Sequence, residues 1–274
     1  MADFDDDYER LSARLPSDAM RTILLGAKYM GHDSKNPIRG NAFGSAMREL
    51  ITQLLHDLAP DGQVTACAWF TKETEDGRPT RAQRQRYVVQ GGLSDEYVLE
   101  TLGLALEDIR KELRDAFVAL NRATHVRDGS IIVKDDEVAA LVDQSLSVAN
   151  TLFDTVNDCR SQLLSAVADA VSDAVTEEMI SRTIEEIDEK AQDYEIDYVL
   201  IEGTEATRID ASHVYFQVTG SIHANLNYGP DDDRATIEHE FPFECELVAP
   251  VADPRGFYPE QTAIKVDHGG WYDD

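Results

Sequence analysis

Between Asp135 and Asp193 the chain contains neither glycine nor proline. With no breaker present, the segment is constrained to helix wherever its apolar pattern supports one. The pattern does: Val138, Leu141, Val142, Leu146, Ala149, Leu152 and Val156 recur at helical spacing, followed by Leu163, Val167 and Val171, then Ile180, Ile184 and Ile187. The spacing predicts one very long helix, or two with a break near residues 158–161 or near Thr176. Its apolar stripe is read as core, with a dimerising coiled coil as the alternative.

After about Glu195 the period changes from that of a helix to that of a strand. In HVYFQVTGSIHANLNYG, residues Val214, Phe216, Val218, Ile222, Ala224 and Leu226 alternate with Tyr215, Gln217, Thr219, Ser221, His223 and Asn225. This is the signature of a half-buried strand. Ile237, His239, Phe241, Phe243, Cys245 and Leu247 form a second alternating run beyond the turn GPDDDR. YVLIEG before them and TAIKVD after them are expected as edge strands. The last 80 or so residues therefore predict a small antiparallel sheet with one face on helices.

The first part reads as helical from about Asp6 to Leu58. Ala46, Leu50, Leu54 and Leu58 lie on one face, Pro60-Asp61-Gly62 forms a stop, and the turn-forming run GHDSKNPIRGN lies before that helix. Val64–Phe70, VTACAWF, is expected as a short buried strand or extended segment. Helices are expected over residues 80–90, after Ser94, and from about Glu107 to Arg122. The expectation is an α+β fold: a helical domain over 1–133 with a short extended core, a long helical segment over 134–193, and a C-terminal antiparallel β domain over 194–274.

Composition narrows the class. The chain has 274 residues, 42% of them hydrophobic, and a formal net charge of −28, which is globular in its apolar content and strongly acidic. No apolar run approaches the roughly 20 residues of a membrane span, and the acidic start lacks a secretory signal pattern. A cytoplasmic protein without membrane association is expected. Cys67, Cys159 and Cys245 are three, widely spaced, and form no CxxC pair, so they read as buried apolar residues. Asp exceeds Glu and Arg exceeds Lys, a surface suited to a salt-loving (halophilic) host or to a GC-rich genome with an acidic proteome.

Against this background one stretch stands apart. Between Asp76 and Asp95 there is no acidic residue, and four arginines occur: Arg78, Arg81, Arg84 and Arg86. Such a cluster meets either a phosphate or an internal carboxylate, and the sequence leaves both open. On a helix over 80–90, Arg81, Arg84 and Val88 share one side, while Gln83, Tyr87 and Gln90 share another. Arg81 and Arg84 are candidates for bidentate phosphate contacts, with Arg78, Gln83, Tyr87, Gln90 and Arg127 as further ligand or positioning residues. His125, between Arg122 and Arg127, is the candidate general acid or base. The alternative for each is structural: ion pairs for the arginines, a loop-anchoring hydrogen bond for His125.

A metal site is not legible. A metal-dependent nuclease would need clustered carboxylates to hold Mg²⁺, and the nearest linear match, Asp188-Glu189-Lys190, falls in a solvated helical stretch. Asp231, Asp232 and Asp233 lack the spacing of a calcium loop, and His213, His223 and His239 could converge only through folding. The metal ligands therefore stay unknown, and no P-loop, GxGxxG or GxSxG is present.

The segment WF…GRPTRAQRQRYVVQGGLSDEYV…LNRATHVRDGSIIV resembles bacterial proteins known as predicted PIWI-associated nucleases. Trp69 is followed by a TRxQRxxYxxQGGL block (Thr80, Arg81, Gln83, Arg84, Tyr87, Gln90, Gly91, Gly92, Leu93) and a THVR segment (Thr124, His125, Val126, Arg127). Asp128 stands where the family often has proline, and the terminal sheet resembles small β domains at the ends of several such proteins. The resemblance implies a role in prokaryotic conflict or antiviral defence, with nucleic acid as target or trigger. Two functions are carried forward from it. One is a nuclease or nucleic-acid-processing protein with an arginine-lined phosphate site. The other is a non-catalytic sensor or adaptor, a homodimer through its long helices or bound to a partner protein of a defence system.

Overall fold

The computed structural model describes residues 4–127, 129–181, 183–230, 233–258 and 263–267. These fall into two compact units: Met1–Gly91 with Asp95–Cys159, and Gly92–Ser94 with Arg160–Asp274. The α+β expectation holds. Asp128, and Asp231 and Asp232 of the acidic turn, lie outside the described residues.

The first unit is helical: α1 (Asp5–Arg14), α2 (Asp18–His32), α3 (Arg39–Leu58), α4 (Asp61–Ala66), α5 (Arg81–Gln90), a π-turn (Tyr97–Thr101) and α6 (Glu107–Thr124), with the start of α7 (Asp135–Ser181). Ser17 caps α2 by accepting a hydrogen bond from the Met20 amide at 3.3 Å. Phe43, Met47, Leu50, Leu54, Leu113 and Leu120 are buried core residues. Val64–Phe70 is not extended: residues 61–66 form α4 and Cys67 closes it. A strand must find its backbone partners on a neighbour, and the described residues of this unit contain no other strand; a helical turn satisfies the same groups internally. The turn-rich run before α3 is also shorter than expected, because Arg39, Gly40 and Asn41 already belong to that helix.

Those three residues hold the segment that follows α6. Asn41 is fully buried, and its amide donates to the carbonyls of Ala123 (2.8 Å) and Ser130 (3.0 Å), while its oxygen accepts from the Ile132 amide (2.9 Å). The Gly40 amide donates to the Ile132 carbonyl at 3.1 Å. A Cβ on Gly40 would lie 2.5 Å from Ile132 Cγ2, so glycine is what permits this approach. Arg39, also buried, donates to the Val133 carbonyl at 3.1 Å and pairs with Asp135.

α7 is one helix of 47 residues; neither expected break occurs before Ser181. Leu146, Leu152, Cys159, Leu163, Val167 and Val175 are fully buried, so the stripe serves as core, whereas Ile180 is exposed.

In the second unit, a short α8 (Glu185–Asp188) precedes four antiparallel strands: β1 (Asp193–Ile209), β2 (His213–Tyr228), β3 (Ala235–Pro250) and β4 (Ala263–Val266), in the order β1-β2-β3-β4. β2 and β3 are the central strands and run in register, with Phe216 opposite Leu247 and Ile222 opposite Phe241. The alternation read from sequence is the observed one: Val214, Phe216, Val218, Ile222, Ala224 and Leu226 are buried. His223 pairs with Glu240 and Ala224 with His239. Because cross-strand partners share a face and neighbours alternate, His223 and His239 point to opposite sides of the sheet.

Candidate functional site

α5 begins at a capping box. Thr80 Oγ1 accepts from the Gln83 amide (3.3 Å), and Gln83 Oε1 accepts from the Thr80 amide (2.9 Å). Gly91, at φ +55°, ends the helix in a conformation closed to most side chains. The helix is therefore bounded by a Thr80 cap at its start and a glycine stop at its end.

Most of the motif faces inward. Gln83 Nε2 donates to the Thr71 carbonyl (2.7 Å) and to Glu73 (3.3 Å). Tyr87 Oη donates to Gln63 (3.1 Å). Gln90 has no exposed surface; it donates to Asp95 (3.1 Å) and accepts from Arg110 (3.1 Å). Arg84 is 4% exposed and is held by the Ala59 carbonyl and the Asp61 carboxylate. The Arg84 hydrogen bond is the first reason that the Asp61 carboxyl titrates below its ordinary range. Gln83, Tyr87 and Arg84 brace α5 against the 71–73 segment, α4 and the end of α3, and Gln90 ties it to Asp95 and α6.

Arg86 lies over the Trp69 ring, 4.2 Å from its centroid, and pairs with Asp95 at 3.1 Å. Trp69 Nε1 in turn donates to the Gly91 carbonyl (2.9 Å). Burial pushes the Asp95 carboxyl up, but the Arg110 hydrogen bond, the Arg86 charge and the Gln90 amide outweigh it and hold it low.

Arg81 is different. Its guanidinium carbon lies over the ring of Phe117 of α6, 3.4 Å from the centroid. Desolvation, and then the nearby charge of Arg48 on α3, lower its pKa. Among the described residues neither Arg81 nor Arg48 pairs with a carboxylate. A stacked guanidinium keeps its N–H edge free and oriented, which suits bidentate contact with an anion. Arg78 is exposed and lies 3.4 Å from Asp76.

α6 extends this basic surface. Arg114 and Asn121 flank Phe117 by one turn, and Lys111, Arg114, Val118 and Arg122 line the exposed side, with Asp115 one turn from Lys111. Residue-type reasoning missed Arg48, Lys111, Arg114 and Phe117; the charge periodicity of α6 could have found Lys111 and Arg114, but only tertiary packing brings in Phe117 and Arg48.

His125 caps the C-terminal end of α6 and is exposed. Its carbonyl accepts from Ser130 Oγ (2.5 Å), which also accepts from the Arg127 amide (2.8 Å), so one serine ties down the THVR segment. Eight residues of helix separate Phe117 from His125, about 12 Å along the axis. The candidates Arg81, Arg84 and His125 are therefore not gathered at one point: Arg84 is internal, Arg81 is at the α3–α5–α6 junction, and His125 and Arg127 lie near the end of α6. No group of three His, Cys, Asp or Glu that could hold a metal ion occurs among the described residues, and no helix there is long and apolar enough to cross a membrane.

Two family models match the chain, over residues 12–149 and 156–272, and each is described as predicted pPIWI-associating nuclease. No curated protein and no solved structure matches it.

Proposed function

Since the chain belongs to the family of predicted pPIWI-associating nucleases, we propose that it binds a nucleic-acid backbone on the first unit, with Arg81 and Arg48 as the anchoring phosphate contact, in a defence-related nuclease role. One observation carries this reading. In a chain of net charge −28, Arg81 is stacked on Phe117 beside a second arginine, and neither has an acidic partner among the described residues. Two neighbouring cations left unpaired in acidic surroundings repel each other, and an incoming phosphate relieves that repulsion. Arg114, Lys111 and Arg122 would meet further phosphates along α6. His125 would be the proton-transfer group, acting on a phosphodiester at some distance from the Arg81 anchor, with Mg²⁺ as the cofactor to supply.

A second reading, a nucleic-acid sensor or adaptor without cleavage, is favoured by a specific feature. Four positions of the arginine block are packed inward, and His125 stands about 12 Å of helix from the Arg81 stack.

The test is a binding and cleavage panel on the full chain: single- and double-stranded DNA and RNA, with and without Mg²⁺ or Mn²⁺, beside Arg48→Ala/Arg81→Ala and His125→Ala. The expected result is binding weakened at least about tenfold in the double arginine variant. Cleavage abolished in His125→Ala with binding retained supports the nuclease reading, and binding without cleavage in any condition supports the sensor. Unchanged binding in the arginine variant would overturn the site.

A further inference from the structure

Beside the basic face of α6 the first unit contains an apolar groove of about 650 Å³, walled by Ile131 and Val133 of the loop after α6 and by Ala140 and Leu141 of α7. Arg122 lines the same groove. We propose that it receives an unpaired nucleobase, so that the nucleic acid bound by this unit is single-stranded where it crosses the end of α6. The proposal rests on the backbone-binding reading above and names its substrate class.

Three observations support it. First, the groove is of a size that small-molecule sites use, and it has an aliphatic wall of Ile131, Ile132, Val133 and Leu141 alongside polar groups that include Ser130, Glu137 and Gln144. Ile131 and Val133 are nearly half exposed, apolar surface that a soluble chain normally covers. Second, its charge complements a nucleotide. Arg122 stands at the groove and the exposed Arg127 follows it in the chain, and neither has a carboxylate partner among the described residues. Lys134, also lining the groove, is paired with Glu137 at 2.8 Å. An apolar slot beside unpaired cations in an otherwise acidic protein suits a ligand with a flat apolar part and an anionic part. An acidic amphipathic peptide would share the charge, but the groove continues the arginine face of α6, which favours a strand running along it. Third, the wall is pre-formed. Asn41, Gly40 and Arg39 hold the backbone of Ser130, Ile132 and Val133, so little ordering is needed on binding. A duplex keeps its bases stacked and could use only the arginines, whereas a single strand can turn a base into the groove.

The experiment measures affinity of the full chain for a labelled single strand, a set of the same strand each with one abasic position at a different place, and the blunt duplex, at fixed salt. It compares wild type with Ala140→Phe, which fills the groove, Ile131→Ser, which removes an apolar wall, and Arg81→Ala. The expected result is single-strand binding about tenfold tighter than duplex. That preference should be lost in Ala140→Phe and in Ile131→Ser while duplex binding stays unchanged, and the strand carrying the abasic position should bind about tenfold more weakly than the intact strand in at least one placement of the gap. Should Ala140→Phe fail to fold by circular dichroism, Ile131→Ser, in an exposed loop, decides the matter. Equal affinity for strand and duplex, or a preference that survives both groove variants, would overturn the proposal while leaving the backbone site standing, provided that Arg81→Ala still weakens both. Binding indifferent to Arg81→Ala would overturn the backbone reading instead.

Discussion

Two arginines three positions apart on one helix have opposite fates. Arg84 points into the unit, where the Ala59 carbonyl and Asp61 hold it; Arg81 points outward onto Phe117. Their substitution should separate structure from binding. Arg84→Ala leaves the Ala59 carbonyl without its donor and a void in the core, and is expected to cost about 2 kcal/mol of stability. Arg81→Ala, which removes the contact on Phe117 and with it the repulsion from Arg48, should change stability by less than about 1 kcal/mol. The loss in Arg84→Ala should also depend on pH. Asp61 titrates below its ordinary value of 3.8 because Arg84 stabilises its charged form, so its contribution is present above that value and fades as the pH falls through the lower, folded-state one. The gap between wild type and Arg84→Ala should therefore narrow below about pH 4. Chemical denaturation at neutral and acidic pH measures both effects, and a gap that widens in acid would contradict the pairing.

At the scale of elements, the first turn of α3 determines where the THVR segment lies. A single buried amide, Asn41, satisfies one carbonyl in the last turn of α6 and one carbonyl and one backbone N–H of the chain after it. These partners are more than 80 residues away in sequence, so GHDSKNPIRGN reads as a loop when taken alone. Asn41→Ala removes all three bonds at once. It should cost about 2–3 kcal/mol and release residues 129–133, seen as faster amide exchange and faster proteolysis there than in α3 itself. Uniform loosening of the whole unit would instead mean that Asn41 acts through the core. α7 illustrates the opposite case, since its apolar stripe and lack of breakers make it helical whatever surrounds it.

For the whole molecule, a charge of −28 sets two salt effects of opposite sign. Self-repulsion among carboxylates falls as salt screens it, with a Debye length of about 10 Å at 0.1 M and about 3 Å at 1 M. The unfolding temperature should rise over that range. Phosphate contacts weaken over the same range: log affinity should fall linearly with log salt, by about 0.7 per contact on single strands and about 0.9 on duplex. Arg81→Ala should reduce that slope by about one contact's share. Thermal unfolding and binding titrations across a salt series check both. A chain that gains stability with salt but whose nucleic-acid binding does not change with salt would not be using these arginines.

What the sequence alone determined is what short-range physics decides. Most of the Gly- and Pro-free run became α7, the alternating runs became β2 and β3, and Thr80 with Gly91 bounded α5, because period, caps and breakers act within a few residues. The TRxQRxxYxxQGGL and THVR positions were enough to recognise the family. The tertiary structure decided everything that depends on a distant partner. Val64–Phe70 has strand-like residues but lies where no strand could pair with it, so its first part turned helical. Arg84 and Arg81 are the same residue type in the same helix, and only the placing of Asp61 beside one and of Phe117 and Arg48 beside the other makes the first a brace and the second a free cation. A charge left unpaired is defined by what packing keeps away from it, and no local pattern records that.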